Sequence, residues 1–174
     1  MEFRALERGE IELIWTIDRR EVIENIYRLE AGEPRLEPHN FDVPGWPPDK
    51  ALTTTPLLYE SFDRGAEFFG AFDAGALVGV AVVDTLWRGP SRDLLQLELL
   101  HVSRDYRARG VGSRLFEQAR DAARASGARG LYISATPTEN TIRFYERRGG
   151  ALISMPDPDL YAREPEDIHL ECPV

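Results

Sequence analysis

Glu98 is the one acid in an otherwise apolar run, Leu94 to Val102, which reads Leu-Leu-Gln-Leu-Glu-Leu-Leu-His-Val. A carboxylate in such a setting needs either a partner or a function, because burying it alone is costly. It reads equally well as a general base or as half of a structural ion pair. Immediately downstream the chain turns basic. Arg104, Arg107, Arg109 and Arg114 surround the hexapeptide Arg107-Ala108-Arg109-Gly110-Val111-Gly112. Glycines allow a backbone to approach a ligand closely. If a helix opens there, its first N–H groups have no partner within the helix and its dipole favours negative charge. A strand, a glycine loop and a helix start in that order make a polyphosphate site.

Two familiar phosphate motifs do not fit. The nucleoside-triphosphate loop needs Gly-x4-Gly-Lys-Ser/Thr, and the sequence has no such segment. The dinucleotide fingerprint needs a third glycine where Leu115 stands, and an acid near Ser134-Ala135.

The elements that must position these residues are legible in outline. Glu67 to Phe72, Ala76 to Leu86 and Leu94 to Val102 read as three strands joined by short turns, an antiparallel meander. The apolar run through Glu98 suits a strand covered on both faces. Counting by twos puts Glu98 with Gln96, Leu100 and Val102, and His101 on the other face with Leu97 and Leu99. His101 therefore reads as a packing residue. Gly110 to Ser126 reads as a helix closed by Gly127, and Leu131 to Ala135 as the next strand. Thr136-Pro137-Thr138-Glu139 reads as a capping box, with Thr136 as N-cap, for a helix ending at Gly149-Gly150. Ala151 to Met155 and Ile168 to Glu171 read as closing strands with a loop, Pro156 to Pro165, between them. Toward the N-terminus, Phe3 to Leu6 reads as a strand and Glu7 to Asp18 as a helix. Val22 to Glu37 reads as a hairpin turning at Ala31-Gly32, and residues 38 to 48 as a proline-rich loop. Leu52 to Phe62 reads as a helix containing Pro56. The whole is an α+β chain whose meander feeds a β-α-β-α half, read as one domain over residues 1–174 with its motif core at about 67–155.

Composition narrows the function. The chain has 174 residues and a formal net charge of −9, which argues against non-specific binding to nucleic acid or anionic membrane. It suits a cationic acceptor such as an amine. Cys172 is the single cysteine, so neither an intramolecular disulfide nor a cysteine-rich zinc site can form. His39 and His169 have no companions at ligand spacing, and no metal is expected. No apolar run approaches the ~20 residues a membrane helix needs, and a cytoplasmic protein is expected. Phe41, Trp46, Tyr59 and Phe62, with Asp42, Glu60 and Asp63, are candidates for an acceptor pocket.

The hexapeptide Arg107 to Gly112 resembles the Arg/Gln-x-x-Gly-x-Gly/Ala signature of the GNAT superfamily of N-acetyltransferases. A second motif, Asn140-Thr141-Ile142-Arg143-Phe144-Tyr145-Glu146, resembles that family's asparagine and aromatic-tyrosine helix and follows at the right distance. The resemblance covers residues 67 to 155 well. It implies acetyl-coenzyme A as cosubstrate and no metal. It implies that the backbone of Leu100, His101 and Val102 pairs with the pantetheine arm. It further implies that the amides of Arg107, Ala108, Arg109, Gly110, Val111, Gly112 and Ser113 hold the pyrophosphate. Asn140 would contact pantetheine, and Tyr145 would sit near the thioester sulfur and protonate the leaving thiolate. The implied activity is direct transfer of an acetyl group to a primary amine of a small molecule or protein, with Glu98 as the base candidate. The competing reading is a non-catalytic acyl-coenzyme A sensor or interaction module. Dimers are common in that superfamily, so the resemblance makes a homodimer one of the assemblies open to this chain. Gly149-Gly150 departs from the family's usual Gly-Phe, and the stretch from Asp18 to Pro48 is atypical of it.

Overall fold

The computed structural model describes residues 1–174. Its strands are β1 (Glu2–Ala5), β2 (Glu21–Glu30), β3 (Glu33–Val43), β4 (Glu67–Asp73), β5 (Ala76–Arg88), β6 (Leu94–Val102), β7 (Gly130–Ala135), β8 (Ala151–Leu152) and β9 (Ile168–Pro173). Its α-helices are α1 (Lys50–Asp63), α2 (Val111–Ala125), α3 (Glu139–Glu146) and α4 (Pro158–Arg163). Seven strands form one mixed sheet in the order β1-β4-β5-β6-β7-β9-β8, and β2 and β3 form a separate two-stranded sheet. The α+β expectation holds. No helix is long and apolar enough to cross a membrane. The chain groups into two compact units that alternate along the sequence, with β5 and β6 running through both.

The first unit comprises residues 1–21, 43–85 and 97–122. β1 pairs antiparallel with β4, and β4 with β5. The β4–β5 turn has Ala74 at φ 48° and Gly75 at φ 82°. Two consecutive positive φ values match the twist of a tight hairpin. Between β1 and β2 the expected α-helix is instead a 3-10 helix, Arg8–Thr16. Ile11 and Ile14, three apart, line up in a three-residue turn, and both are fully buried. Arg4 donates to both Glu10 oxygens at 2.7 Å, and this pair holds the Glu10 carboxyl at about 2. The 3-10 helix and α1 cover a core of Leu58, Phe68, Val80 and Val82, with Trp15, Trp46, Tyr59 and Phe62 packed at its rim.

The second unit comprises residues 22–42, 86–96 and 123–174. β6 pairs parallel with β7 over Leu94↔Gly130, Leu95↔Leu131 and Gln96↔Tyr132, which makes β6-α2-β7 the expected β-α-β element. β7 pairs antiparallel with β9 along its whole length. Gly130 is required there, since a Cβ would lie 2.5 Å from the Cys172 carbonyl oxygen. Arg88 is buried and donates to Gln96 Oε1 at 3.1 Å and to both Asp157 oxygens at 3.2 Å.

Three further expectations about the elements are corrected. The segment from Pro156 to Pro165 is not all loop. Asp157 accepts from the amides of Asp159 and Leu160 and caps α4, with Pro158 at its first position, where a missing N–H costs nothing. β8 is only Ala151–Leu152 instead of reaching Met155. β3 continues through Pro38 to Val43, where a loop was expected. Prolines are tolerated because β3 pairs only with β2 and its other edge needs no donor.

Candidate functional site

The pairing of β6 with β7 stops at Gln96 and Tyr132. Beyond it, Leu97 to Val102 continue as strand without a β7 partner, and Glu98, Leu99, Leu100, His101 and Val102 are all half-buried. Glu98 thus stands two residues past the last paired position, on strand backbone that is open along one edge. An edge of this kind offers amides and carbonyls to an extended ligand.

The loop after β6 is anchored by short bonds. The Ser103 amide donates to the Val78 carbonyl at 2.8 Å, the Asp18 amide donates to Ser103 Oγ at 3.0 Å, and the Arg104 amide donates to the Asp18 carbonyl at 2.9 Å. A short 3-10 turn, Arg104–Tyr106, follows, and the Tyr106 hydroxyl donates to Asp73 at 2.9 Å. Ala108 at φ 59° and Gly110 at φ 83° then reverse the chain into α2. The Arg114 amide donates to the Gly110 carbonyl at 3.0 Å, so Gly110 opens the helix. The amides of Val111 and Gly112 fall in the first turn, where no helix carbonyl reaches them. Gly79 on β5 lets this turn sit close. A Cβ there would meet Leu115 Cδ1 at 3.0 Å, Val111 Cγ1 at 3.2 Å and the His101 carbonyl at 3.3 Å.

The arginines around the helix start are individually steered. Arg107 Nε donates to the Val102 carbonyl at 3.0 Å, and its guanidinium lies 3.6 Å from Glu21. Arg109 lies over the Tyr106 ring and Arg114 over Phe3. Their charges remain at the mouth of α2, which suits an anionic ligand better than a cationic one.

His101 packs edge-on against Trp46, ring centroids 4.8 Å apart, and Trp46 packs in turn against Trp15 at 4.9 Å. Trp46 Nε1 donates to the Ile17 carbonyl at 2.9 Å, which locks the proline loop in place. The packing role expected of His101 is what its surroundings give it. Burial, and then the charges of Arg19, Arg107 and Lys50, lower its pKa to about 3. An unfolded histidine titrates near ~6.5. Between those values the unfolded chain binds a proton that the folded chain refuses. Stability therefore falls as pH drops through that window, by about 1.4 kcal/mol per pH unit at its steepest. The melting temperature of the protein should drop on acidification from pH ~6.5, and that of His101→Phe should drop less. Equal slopes for the two would remove His101 from the acid response.

The second motif lies on α3, in the other unit. The N-cap is Thr138, two residues later than expected; its Oγ1 accepts from the Thr141 amide at 3.3 Å. The reason is remote: Pro137 lends its carbonyl to the Tyr27 amide at 2.7 Å, and Thr138 forms a β-bridge with Ile26. The Thr138 amide also donates to the Thr136 carbonyl at 2.8 Å, so Thr136 and Pro137 form a tight turn ahead of the helix. Asn140, the second residue of α3, is exposed. Tyr145 is buried at 6% exposure, and burial above all, then the nearby Cys172 thiol, raises its phenol pKa. Beyond Glu146 the chain closes by the two-bond glycine pattern common at helix ends. The Gly149 amide donates to the Glu146 carbonyl at 3.0 Å, and the Gly150 amide to the Tyr145 carbonyl at 2.9 Å, with Gly149 at φ 82°.

Of the residues considered for an acceptor pocket, Trp46 packs at the rim of the first unit's core. Tyr59 and Phe62 serve the core of the first unit, and Asp63 pairs with Arg8 at 2.8 Å. Phe41 is 52% exposed on β3. The Arg88–Asp157 pair and the Tyr27–Pro137 bond escaped the sequence reading, since each joins residues far apart along the chain with no local periodicity to mark them.

No curated protein matches the sequence significantly. Among solved structures, nourseothricin acetyltransferase is 25% identical over 99% of this chain and 98% of that chain, with a TM-score of 0.73. A candidate streptothricin acetyltransferase from Bacillus anthracis str. Ames, solved with acetyl coenzyme A, is 19% identical over 98% and 95%, with a TM-score of 0.73. PaiA N-acetyltransferase from Thermoplasma acidophilum, solved with coenzyme A, is 16% identical over 99% and 98%, with a TM-score of 0.64. The family model described as "Acetyltransferase (GNAT) family" matches residues 23–150, which spans both the glycine loop and the tyrosine helix. The resemblance carried by Arg107–Gly112 and Asn140–Tyr145 is thereby borne out, and the chain belongs to the GNAT family of acetyltransferases, enzymes that take their acetyl group from acetyl-coenzyme A.

Proposed function

We propose that the protein acetylates a primary amine on a small cationic molecule, with nourseothricin as the first acceptor to test. The observation that carries this reading is the end-to-end similarity to nourseothricin acetyltransferase, 25% identity over 99% of the chain. The net charge of −9 supports it, because an amine acceptor is cationic before it reacts.

Much of the rate in such a transfer comes from holding two reactants together, worth ~7–11 kcal/mol. The backbone of Leu100, His101 and Val102 would hold the pantetheine arm, and the amides of residues 107 to 113 the pyrophosphate. Both assignments are supported by the open strand edge and by the helix start described above. A strand amide near Leu100 would stabilise the oxyanion as the amine nitrogen bonds to the carbonyl carbon. Glu98 would take the proton that the ammonium must lose, directly or through water. As the carbon–sulfur bond breaks, the Tyr145 phenol would supply the proton that the thiolate needs, and the second proton lost by the nitrogen would restore the phenol. The raised phenol pKa keeps that proton in place at neutral pH. Asn140 would contact the pantetheine arm.

A thiol-release assay with acetyl-coenzyme A, nourseothricin and a panel of other amines tests the proposal. Turnover is expected with nourseothricin and with few simple amines. Turnover confined to protein or peptide amines would refute the acceptor class. Tight acetyl-coenzyme A binding without turnover on any amine would favour a non-catalytic module.

A further inference from the structure

We infer that Asn25, on the β2–β3 hairpin, is a positioning residue that acts through Glu139 to hold the first turn of α3, and with it Asn140. The inference rests on the reading of Asn140 as a cofactor contact. α3 has eight residues. Helices shorter than ~12–15 residues are marginal unless something outside holds them. The C-terminal end of α3 is closed by Gly149 and Gly150. The N-terminal end is held by the hairpin. Asn25 Nδ2 donates to Glu139 Oε2 at 2.7 Å, across 114 positions of sequence. The other oxygen, Glu139 Oε1, lies 2.8 Å from the Arg143 guanidinium, one turn along. Arg143 also bonds the Tyr27 side chain. The Tyr27 amide donates to the Pro137 carbonyl at 2.7 Å, and Ile26 bridges Thr138.

Three consecutive hairpin residues, Asn25, Ile26 and Tyr27, thus grip the chain from Pro137 to Arg143. Ile26 and Thr138 are 9% and 4% exposed, so the bridge is out of water. The Asn25–Glu139 bond is the side-chain part of this clamp and is charge-assisted, which makes it stronger than a neutral pair. Asn140 directly follows Glu139 and has no burial of its own to fix it. Its direction depends on how firmly that turn is held.

The test is Asn25→Ala in the full chain, with acetyl-coenzyme A affinity measured by calorimetry and exchange of the α3 amides followed by NMR. The expected result is faster exchange at residues 139 to 142 and an acetyl-coenzyme A Kd raised about three- to tenfold, part of the worth of one hydrogen bond to a charged group. Glu139→Ala should raise Kd similarly, and the double variant should add little to either. A folded Asn25→Ala with unchanged Kd overturns the inference, because a merely structural bond would lower the melting temperature without moving affinity. Should Asn25→Ala not fold, Asn25→Ser is read against the same two outcomes. If the unsubstituted protein binds no acetyl-coenzyme A, the cofactor reading of this chain fails instead, while the exchange rates still report whether Asn25 holds α3.

Discussion

Tyr145→Phe is expected to lower kcat about 100-fold or more while leaving the Kd for acetyl-coenzyme A within about twofold, since a general acid contributes ~10²–10⁴ in rate. The substitution deletes one oxygen from a side chain that is 6% exposed, so the ring keeps its packing against α3 and its neighbours. What is removed is the hydroxyl with its proton. The raised phenol pKa adds a sign to the prediction: between pH 6 and 9 the tyrosine stays protonated, and its own ionisation should not limit the rate there. A rising rate over that range would report loss of the acceptor ammonium's proton instead. An unchanged kcat in Tyr145→Phe would take the phenol out of the chemistry and leave the thiolate to depart unprotonated. Single-turnover rates with acetyl-coenzyme A and a working acceptor separate these outcomes from any change in product release.

The second large effect concerns stability. Asp157→Ala should destabilise the fold by about 3–5 kcal/mol, because it strands the Arg88 guanidinium in a buried setting. The Arg88 side chain is 9% exposed and that of Asp157 17%, so little solvent is at hand to compensate. The same aspartate caps α4, and losing an N-cap adds about 1 kcal/mol. Asp157→Asn retains an acceptor for both roles and should cost less than Asp157→Ala. Replacing both residues with apolar side chains should cost less than removing the aspartate alone, since no uncompensated charge then remains. Urea unfolding at pH 7 measures all three. A loss within about 0.5 kcal/mol for Asp157→Ala, the level of an ordinary surface change, would show that the arginine finds another partner.

How far the sequence could be read depended on the range of the interactions. β6, α2 and β7 were legible because a buried strand, a glycine turn and an amphipathic helix each announce themselves within a dozen residues. Gly127, at φ 81°, ended α2 as expected. The turn at Asp73-Ala74-Gly75 was legible for the same reason. The start of α3 was not. Thr136-Pro137-Thr138-Glu139 contains a good local cap, and the structure uses a different one, because Ile26 and Tyr27 bond Thr138 and Pro137 and keep them out of the helix. The 3-10 character of Arg8–Thr16 was equally hidden, since Ile11 and Ile14 satisfy either period over so short a span. Of the site, the cofactor loop was legible as a pattern, whereas the packing of His101 against Trp46 joins strand to loop across 55 residues and carries no local mark.

Pro34 and Pro38 in β3 have a consequence for association between molecules. A proline within a paired strand must turn its missing donor away from the partner, so both gaps fall on the outward edge of the hairpin. Being four apart, they interrupt the same row of amides twice, and Asn40 at φ 49° distorts the strand two residues later. A fibril or a swapped strand needs an unbroken row of donors to template on. This two-stranded sheet, which holds α3 through β2, carries along β3 a row of donors broken at two prolines.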